Sequence, residues 1–145
     1  MENTNIIHYS PFSNENSYLK LSNSELVDIT IENASFKSCL FFCGTWKKIT
    51  FKNCNFHSCV FDSLDLSNCN IENCNFSYCK VDSCKWVTCS FINTQWKKSS
   101  VVHGQWILCQ LDESTTSLVD DYAQDEEEMQ NTATWTLSRK MTFMA

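Results

Sequence analysis

Residues 68–79 read NCNIENCNFSYC, with Cys69, Cys74 and Cys79 each five residues from the next. Two places after the first two cysteines stand Ile71 and Phe76. The period extends in both directions. Stepping by five from Leu21 reaches Leu26, Ile31, Phe36, Phe41, Trp46, Phe51, Phe56, Phe61, Leu66, Ile71, Phe76, Val81, Trp86, Phe91, Trp96, Val101, Trp106 and Leu111, all large and apolar. Of the ten cysteines, all but Cys43 lie two residues before one of these markers. Ser24, Ala34, Gly44, Thr94, Ser99, Gly104 and Ser114 share that phase, and Ile29, Ile49 and Leu64 break it. The phase therefore selects small size rather than a thiol as such.

A period of five fits neither regular element. Five residues of α-helix advance about 500°, so the markers would spiral around the axis and form no stripe. In a flat strand an odd period sends successive markers to opposite faces. A chain that turns a corner every five residues keeps all of them inside, and its coils stack at strand spacing, about 4.8 Å. Only 2 glycines and 1 proline occur in 145 residues, which argues against a hairpin-built β-protein.

The units CNFHS (54–58), CNIEN (69–73) and CNFSY (74–78) resemble the A-(D/N)-L-x-x repeat of the pentapeptide-repeat family. Cysteine replaces alanine, and Phe or Trp often replaces leucine. The resemblance covers about residues 21–114. It implies an all-β fold, a right-handed quadrilateral β-helix with four units per coil, about 4.75 coils and about 23 Å long. Residues 20 apart then stack, so Cys39, Cys59 and Cys79 form one internal column and Cys69, Cys89 and Cys109 another. On this reading residues 1–20 are an N-terminal cap or tail, with Ile6, Ile7, Tyr9 and Phe12 as capping candidates. Residues 21–114 are the coil, 115–131 an acidic linker or short helix with Ser117 as N-cap, and 132–145 a C-terminal strand. That strand, TWTLSRKMTF at 134–143, alternates strictly and would pack on the rod or on a partner.

The residues point away from catalysis. No C-x-x-C pair marks a zinc site. Disulfides between stacked in-register positions would be strained, and a reducing compartment would oppose them. His57 and His103 should face solvent with no nucleophile arranged for relay, and no phosphate-cradling glycine loop is present. Asp62, Asp65, Glu72 and Asp82 scatter over solvent-facing phases. Cys43 is the only thiol expected to face outward. The expectation is a protein with no catalytic residue, cofactor or metal. No run of 18 apolar residues and no basic-then-apolar start occur, so the expected location is the cytoplasm, with export as a bacterial effector the alternative.

Function should then lie in outward side chains that engage a protein partner, as in other solenoids. The family resemblance implies a type II topoisomerase, DNA gyrase, as the most concrete partner; an effector or assembly scaffold is the alternative. The quinolone-resistance relatives resemble duplex DNA in negative charge. Residues 20–111, by contrast, hold nine lysines against seven carboxylates, whereas residues 112–128 hold only acids. Direct nucleic-acid binding is not expected, because the marker aromatics point inward and cannot stack on bases. Val87, Ile92, Val102, Ile107 and Leu108 occupy outward phases and form a candidate apolar contact with Trp135, Leu137 and Phe143, through which a homodimer could also form. Asp120, Asp121, Asp125, Glu126, Glu127 and Glu128 form a candidate acidic surface.

Overall fold

The computed structural model describes residues 5–7 and 9–120. Almost every five-residue unit supplies a three-residue strand with its marker pointing in and its neighbours pointing out. β12 (Asn75–Ser77) pairs in parallel with β8 (Asn55–His57) and β16 (Gln95–Lys97), placing Phe76 opposite Phe56 and Trp96. Partners 20 residues apart mean four units per coil, and about 5 turns stack into a parallel β-solenoid.

The coil presents four faces. The first carries β10 (Asp65–Ser67), β14 (Lys85–Val87) and β18 (Gln105–Ile107); the second carries β11 (Asn70–Glu72) and β15 (Ser90–Ile92). Two longer strands, β4 (Ser24–Glu32) and β7 (Thr45–Lys52), run through the corner between these faces and join them into one 8-stranded sheet. The third face stacks β2 (Glu15–Ser17), β5 (Ser35–Lys37), β8, β12 and β16. The fourth stacks β3 (Lys20–Ser22), β6 (Leu40–Phe42), β9 (Val60–Asp62), β13 (Lys80–Asp82) and β17 (Ser100–Val102).

The corners follow a strict rule. Every fifth residue from Tyr18 to Leu108 has φ between 51° and 59°, and no glycine does. Asn and Asp tolerate this left-handed conformation because their short polar side chains bond locally. Tyr18, Lys48, Thr88 and Leu108 have no such help, and the β-branched Thr88 (φ 57°) is the most strained of these types. Stacking holds them there. The Ser58 amide donates to Ser77 O at 2.8 Å, and three residues earlier the Asn55 amide donates to Ala34 O at 3.0 Å, so each corner is tied to the coils on both sides. Glycine scarcity, read as a scarcity of positive-φ turns, misleads on this point.

The interior is aromatic. Phe36, Phe56, Phe76 and Trp96 stack nearly parallel, with centroids 4.7, 4.8 and 3.9 Å apart. Between the markers, the nine inward cysteines are buried and free. Each Sγ reaches two backbone carbonyls, two residues back and in the coil below; Cys74 bonds Phe51 O at 3.5 Å and Glu72 O at 3.2 Å. Cysteine thus fills alanine's place with more volume and a weak donor. Burial pushes the Cys84 thiol up to about 12. Contact with the stacked thiol of Cys79 or Cys54, followed by burial, also raises Cys59 and Cys74. Cys59, Cys74 and Cys84 therefore stay protonated. What remains along the axis is an apolar void of about 20 Å³ lined by Trp46, Phe56, Phe76 and Trp86 among others, too small for a substrate.

The ends differ from expectation. Coiling starts before residue 21: β1 (Asn5–Ile7) pairs with β4, and β2 pairs with β5. Asn16 sits buried in a marker place, its amide bonded to Ser13 O at 2.8 Å and Ser35 O at 3.1 Å. A polar residue in an apolar register hid this turn from the sequence. Phe12 plugs the end against Phe36 (5.1 Å) and Phe41 (5.9 Å), whereas Tyr9, also expected to cap, is exposed. At the other end a helix, α1, covers residues 113–120 and starts ahead of Ser117. Its N-cap is Asp112, whose Oδ1 accepts from the Thr115 amide at 3.0 Å while Oδ2 accepts from Thr94. Thr115, fully buried, accepts from Trp96 Nε1 at 2.9 Å and meets Thr94 Oγ1 at 2.9 Å. Val119 is also buried, so one face of α1 seals the coil mouth.

Three stability measurements follow from this geometry. Cys74→Ala should lower the unfolding free energy by about 1 kcal/mol, a small truncation, whereas Cys74→Lys should give no cooperative melt because it buries an unpaired charge. Thr88→Asn should raise stability by about 1 kcal/mol by relieving the strained corner; an unchanged melting temperature would contradict the strain. Thr115→Val, equal in shape, should cost about 2 kcal/mol because it strands the Trp96 indole N–H, as read by denaturant titration.

Candidate protein-interaction surface

Of the apolar residues singled out by sequence on the last two coils, Ile92 and Leu108 are exposed and Val87, Val102 and Ile107 are half-buried. Val87 and Ile107 stack in register on the first face. Leu108 occupies the next corner at 49% exposure, and Ile92 lies beyond it on the second face at 51% exposure. These four wrap one edge of the rod. Val102 is separated from them: it stands on the fourth face, opposite Asp82 and across the His103 corner. Trp135, Leu137 and Phe143 lie outside the described residues, as do Asp121, Asp125, Glu126, Glu127 and Glu128; Asp120 ends the described part of α1.

The carboxylates distribute unevenly over the faces. Glu25, Asp28 and Asp65 belong to the first face and the corner that ends it, Glu32 and Glu72 to the second, and Asp62 and Asp82 to the fourth. Glu25 meets Lys47 at 3.8 Å, an exposed pair that contributes little. Asp82 is more embedded: Ser83 Oγ donates to its Oδ1 at 2.9 Å, His103 Nδ1 lies at 3.2 Å and Lys80 Nζ at 3.8 Å. Burial opposes its charge, but these partners outweigh it and hold the carboxyl below the usual carboxylate range. Its contribution to stability is therefore present above that range and is lost as pH falls through the lowered value. Cys43 takes a corner position (φ 57°) and is half-buried, its amide bonded to Asp62 O at 2.9 Å.

Sequence reasoning missed two features. One is the Asp112–Thr94–Thr115–Trp96 network. Its signal was available: an aspartate directly after the last marker, followed by helix-compatible residues. The other is the third face, on which the coils between residues 33 and 98 place Lys37, Lys97, Lys98 and His57 but no carboxylate. Its recognition requires the four-unit wrap, since these residues are dispersed along the chain. Beside it, at the mouth, an open hollow of about 420 Å³ is lined by Asn93, Trp96, Lys97, Asp112, Glu113 and Ser114.

Comparison with known proteins matches residues 49–85 to the pentapeptide repeats, in 8 copies. No curated protein sequence matches the chain significantly. Among solved structures, two trypsin-treated variants of QnrB1, a plasmid-mediated fluoroquinolone resistance protein, are similar. The first shares 12% identity over 77% of this chain and 82% of that one, at a TM-score of 0.21; the second shares 14% over 74% and 80%, at 0.20. At those scores the likeness carries no argument about partners. No described helix is long and apolar enough to cross a membrane. The match to the pentapeptide repeats covers residues 49–85, and the same corners and columns run on either side of it, from Glu15 to Gln110.

Proposed function

We propose that this protein is a non-catalytic rod that binds and modulates another macromolecule, with a type II topoisomerase the most concrete candidate. The observation that carries the reading is the apolar edge of the last coils, where Leu108 and Ile92 are exposed beside half-buried Val87 and Ile107, on an otherwise filled coil. An apolar cluster left in water at one end of a rigid scaffold fits a contact surface. The interior offers no room for a substrate, so any recognition must use outward side chains. The topoisomerase assignment rests on family resemblance. The charge pattern shapes it: nine lysines offset seven carboxylates over residues 20–111, so contact would use apolar packing rather than imitation of a phosphate stripe.

A DNA gyrase supercoiling assay, with and without a quinolone, tests this. Micromolar protein should change supercoiling or quinolone inhibition. Ile92→Glu with Leu108→Glu should weaken the effect at least about tenfold while leaving the melting temperature unchanged, because both positions are half in water. No effect of the unaltered protein would remove the topoisomerase reading; full activity of the double variant would move the contact elsewhere.

A further inference from the structure

The third face is chemically unlike the other three. Its outward columns read Glu15, Ser35, Asn55, Asn75 and Gln95 beside Ser17, Lys37, His57, Ser77 and Lys97, and its far corner carries Tyr78 and Lys98. The Asn55 and Asn75 amides bond to each other at 3.0 Å, and Tyr78 packs edge-on to His57 at 5.5 Å. Lys37, Lys97 and Lys98 are exposed and form no ion pair among the described residues. Elsewhere on the rod lysines share their face with carboxylates; here Lys37, Lys97 and Lys98 stand on the coils between residues 33 and 98 with none, and the face's one carboxylate among these columns, Glu15, lies at its first coil.

The same chain carries the complementary charge. Residues 121–128 include Asp121, Asp125, Glu126, Glu127 and Glu128 and no base. They follow α1, whose first turn is anchored to the third face: Ser114 Oγ accepts from the Trp96 amide at 3.2 Å and Thr115 Oγ1 from the Trp96 indole at 2.9 Å. Lys97 and Glu113 line the same hollow. An eight-residue helix is about 12 Å long, so Asp120, the last described residue of α1, lies within about that distance of the anchored first turn. Eight residues can extend about 26 Å. From Lys97 to Lys37 is three coils, about 14 Å. Reach and charge both match.

We propose that the third face is the docking surface for the acidic segment 121–128 of the same chain, which covers the three lysines and withholds them from other anions. The contact is electrostatic and reversible, with a Debye length of about 8 Å at physiological salt, so added salt or a competing polyanion releases it. This inference stands independently of the topoisomerase reading, which uses other side chains, Ile92 and Leu108 among them.

Carbodiimide cross-linking of the full chain tests it, since this reagent joins lysine to carboxylate only at contact distance. A mixture of unlabelled and 15N-labelled protein separates cross-links within a chain from those between copies. The expected result is same-isotope links from Lys37, Lys97 or Lys98 to residues 121–128, several-fold more abundant than links from those carboxylates to Lys47, Lys48, Lys52 or Lys85, and suppressed in 1 M salt. Links spread evenly over lysines of all faces, or links only between copies, would overturn the proposal. A second readout uses a single-stranded 20-mer of deoxythymidine. Neutralising Asp121, Asp125, Glu126, Glu127 and Glu128 to their amides should increase its binding at least about tenfold, a gain that Lys37→Glu with Lys97→Glu abolishes. If the unaltered protein binds the oligonucleotide as tightly as the neutralised variant, the face is an open polyanion site and the segment does not cover it.

Discussion

The whole architecture rests on one repeated constraint: every fifth residue must adopt a left-handed backbone, and stacking must compensate for it. A residue of this kind costs about 1–2 kcal/mol unless it is Gly, Asn or Asp. A single coil could not sustain four such corners. Stacked, each corner amide finds a carbonyl of the next coil, as Asn53 finds Glu72 O at 3.0 Å and Cys43 finds Asp62 O at 2.9 Å. The polar backbone is satisfied between coils rather than within them. Local strain and long-range order are therefore the same fact, and stability should behave as a sum over neighbouring coils. It also explains the two tied-off ends. A coil without a neighbour keeps its strain and loses the compensation, so Asn16 with Phe12 at one end and Asp112 with Thr115 at the other supply what the missing coil would have.

Inside this frame, side chains compensate by volume. A Cβ added to Gly44 would lie 2.8 Å from Ser24 O and 3.3 Å from Leu64 Cδ2, so the smallest residue sits where Leu64 breaks the small-residue phase above it. Gly104 makes similar room beside Trp106, whose indole Nε1 would be 3.3 Å from an added Cβ. The fit is imperfect: the Trp86 and Trp106 indole N–H groups are buried without a partner. Each such group costs about 1–3 kcal/mol. The stacked Trp pair, with centroids 4.9 Å apart, evidently gains enough from its buried area to be retained. Thiols relieve such mismatches elsewhere because Sγ accommodates both volume and a loose donor geometry.

How much of this was legible in the sequence follows from what the period encodes. A marker every five residues fixes the inward set, so burial of Phe56 and Cys74 could be read without coordinates. The outward phases were equally readable, and Ile92 and Leu108 are exposed as the phase requires. The period says nothing about where it ends. Asn16 belongs to the coil through hydrogen bonds rather than hydrophobicity, and α1 begins at 113 because Asp112 caps it, not at the later serine that composition suggested. Nor does the period alone declare four units per coil; without that number Lys37 and Lys97 are distant in sequence and their alignment is invisible. Corner strain was hidden for a different reason. Left-handed residues are usually inferred from glycine, and here none of them is glycine.

The surface follows from the same arithmetic. In a coil whose interior is wholly consumed by packing, selection can act only on outward positions, and each column of those repeats at about 4.8 Å. A column is thus a ruler on which charge, amide or apolar groups can be placed independently of the core. The four faces use it differently: the first and second carry mixed charge giving way to Val87, Ile107 and Ile92 toward the mouth, the fourth concentrates Asp62 and Asp82, and the third omits carboxylates through its central coils. Exposed charges on a single face are screened over about 8 Å at physiological salt, less than two coils. A lysine column therefore addresses what lies directly against it and little else. Placing three unpaired lysines on the face to which α1 is tied, immediately before the most acidic stretch of the chain, makes an intramolecular partner the nearest available one, and any external ligand of that face must compete with it.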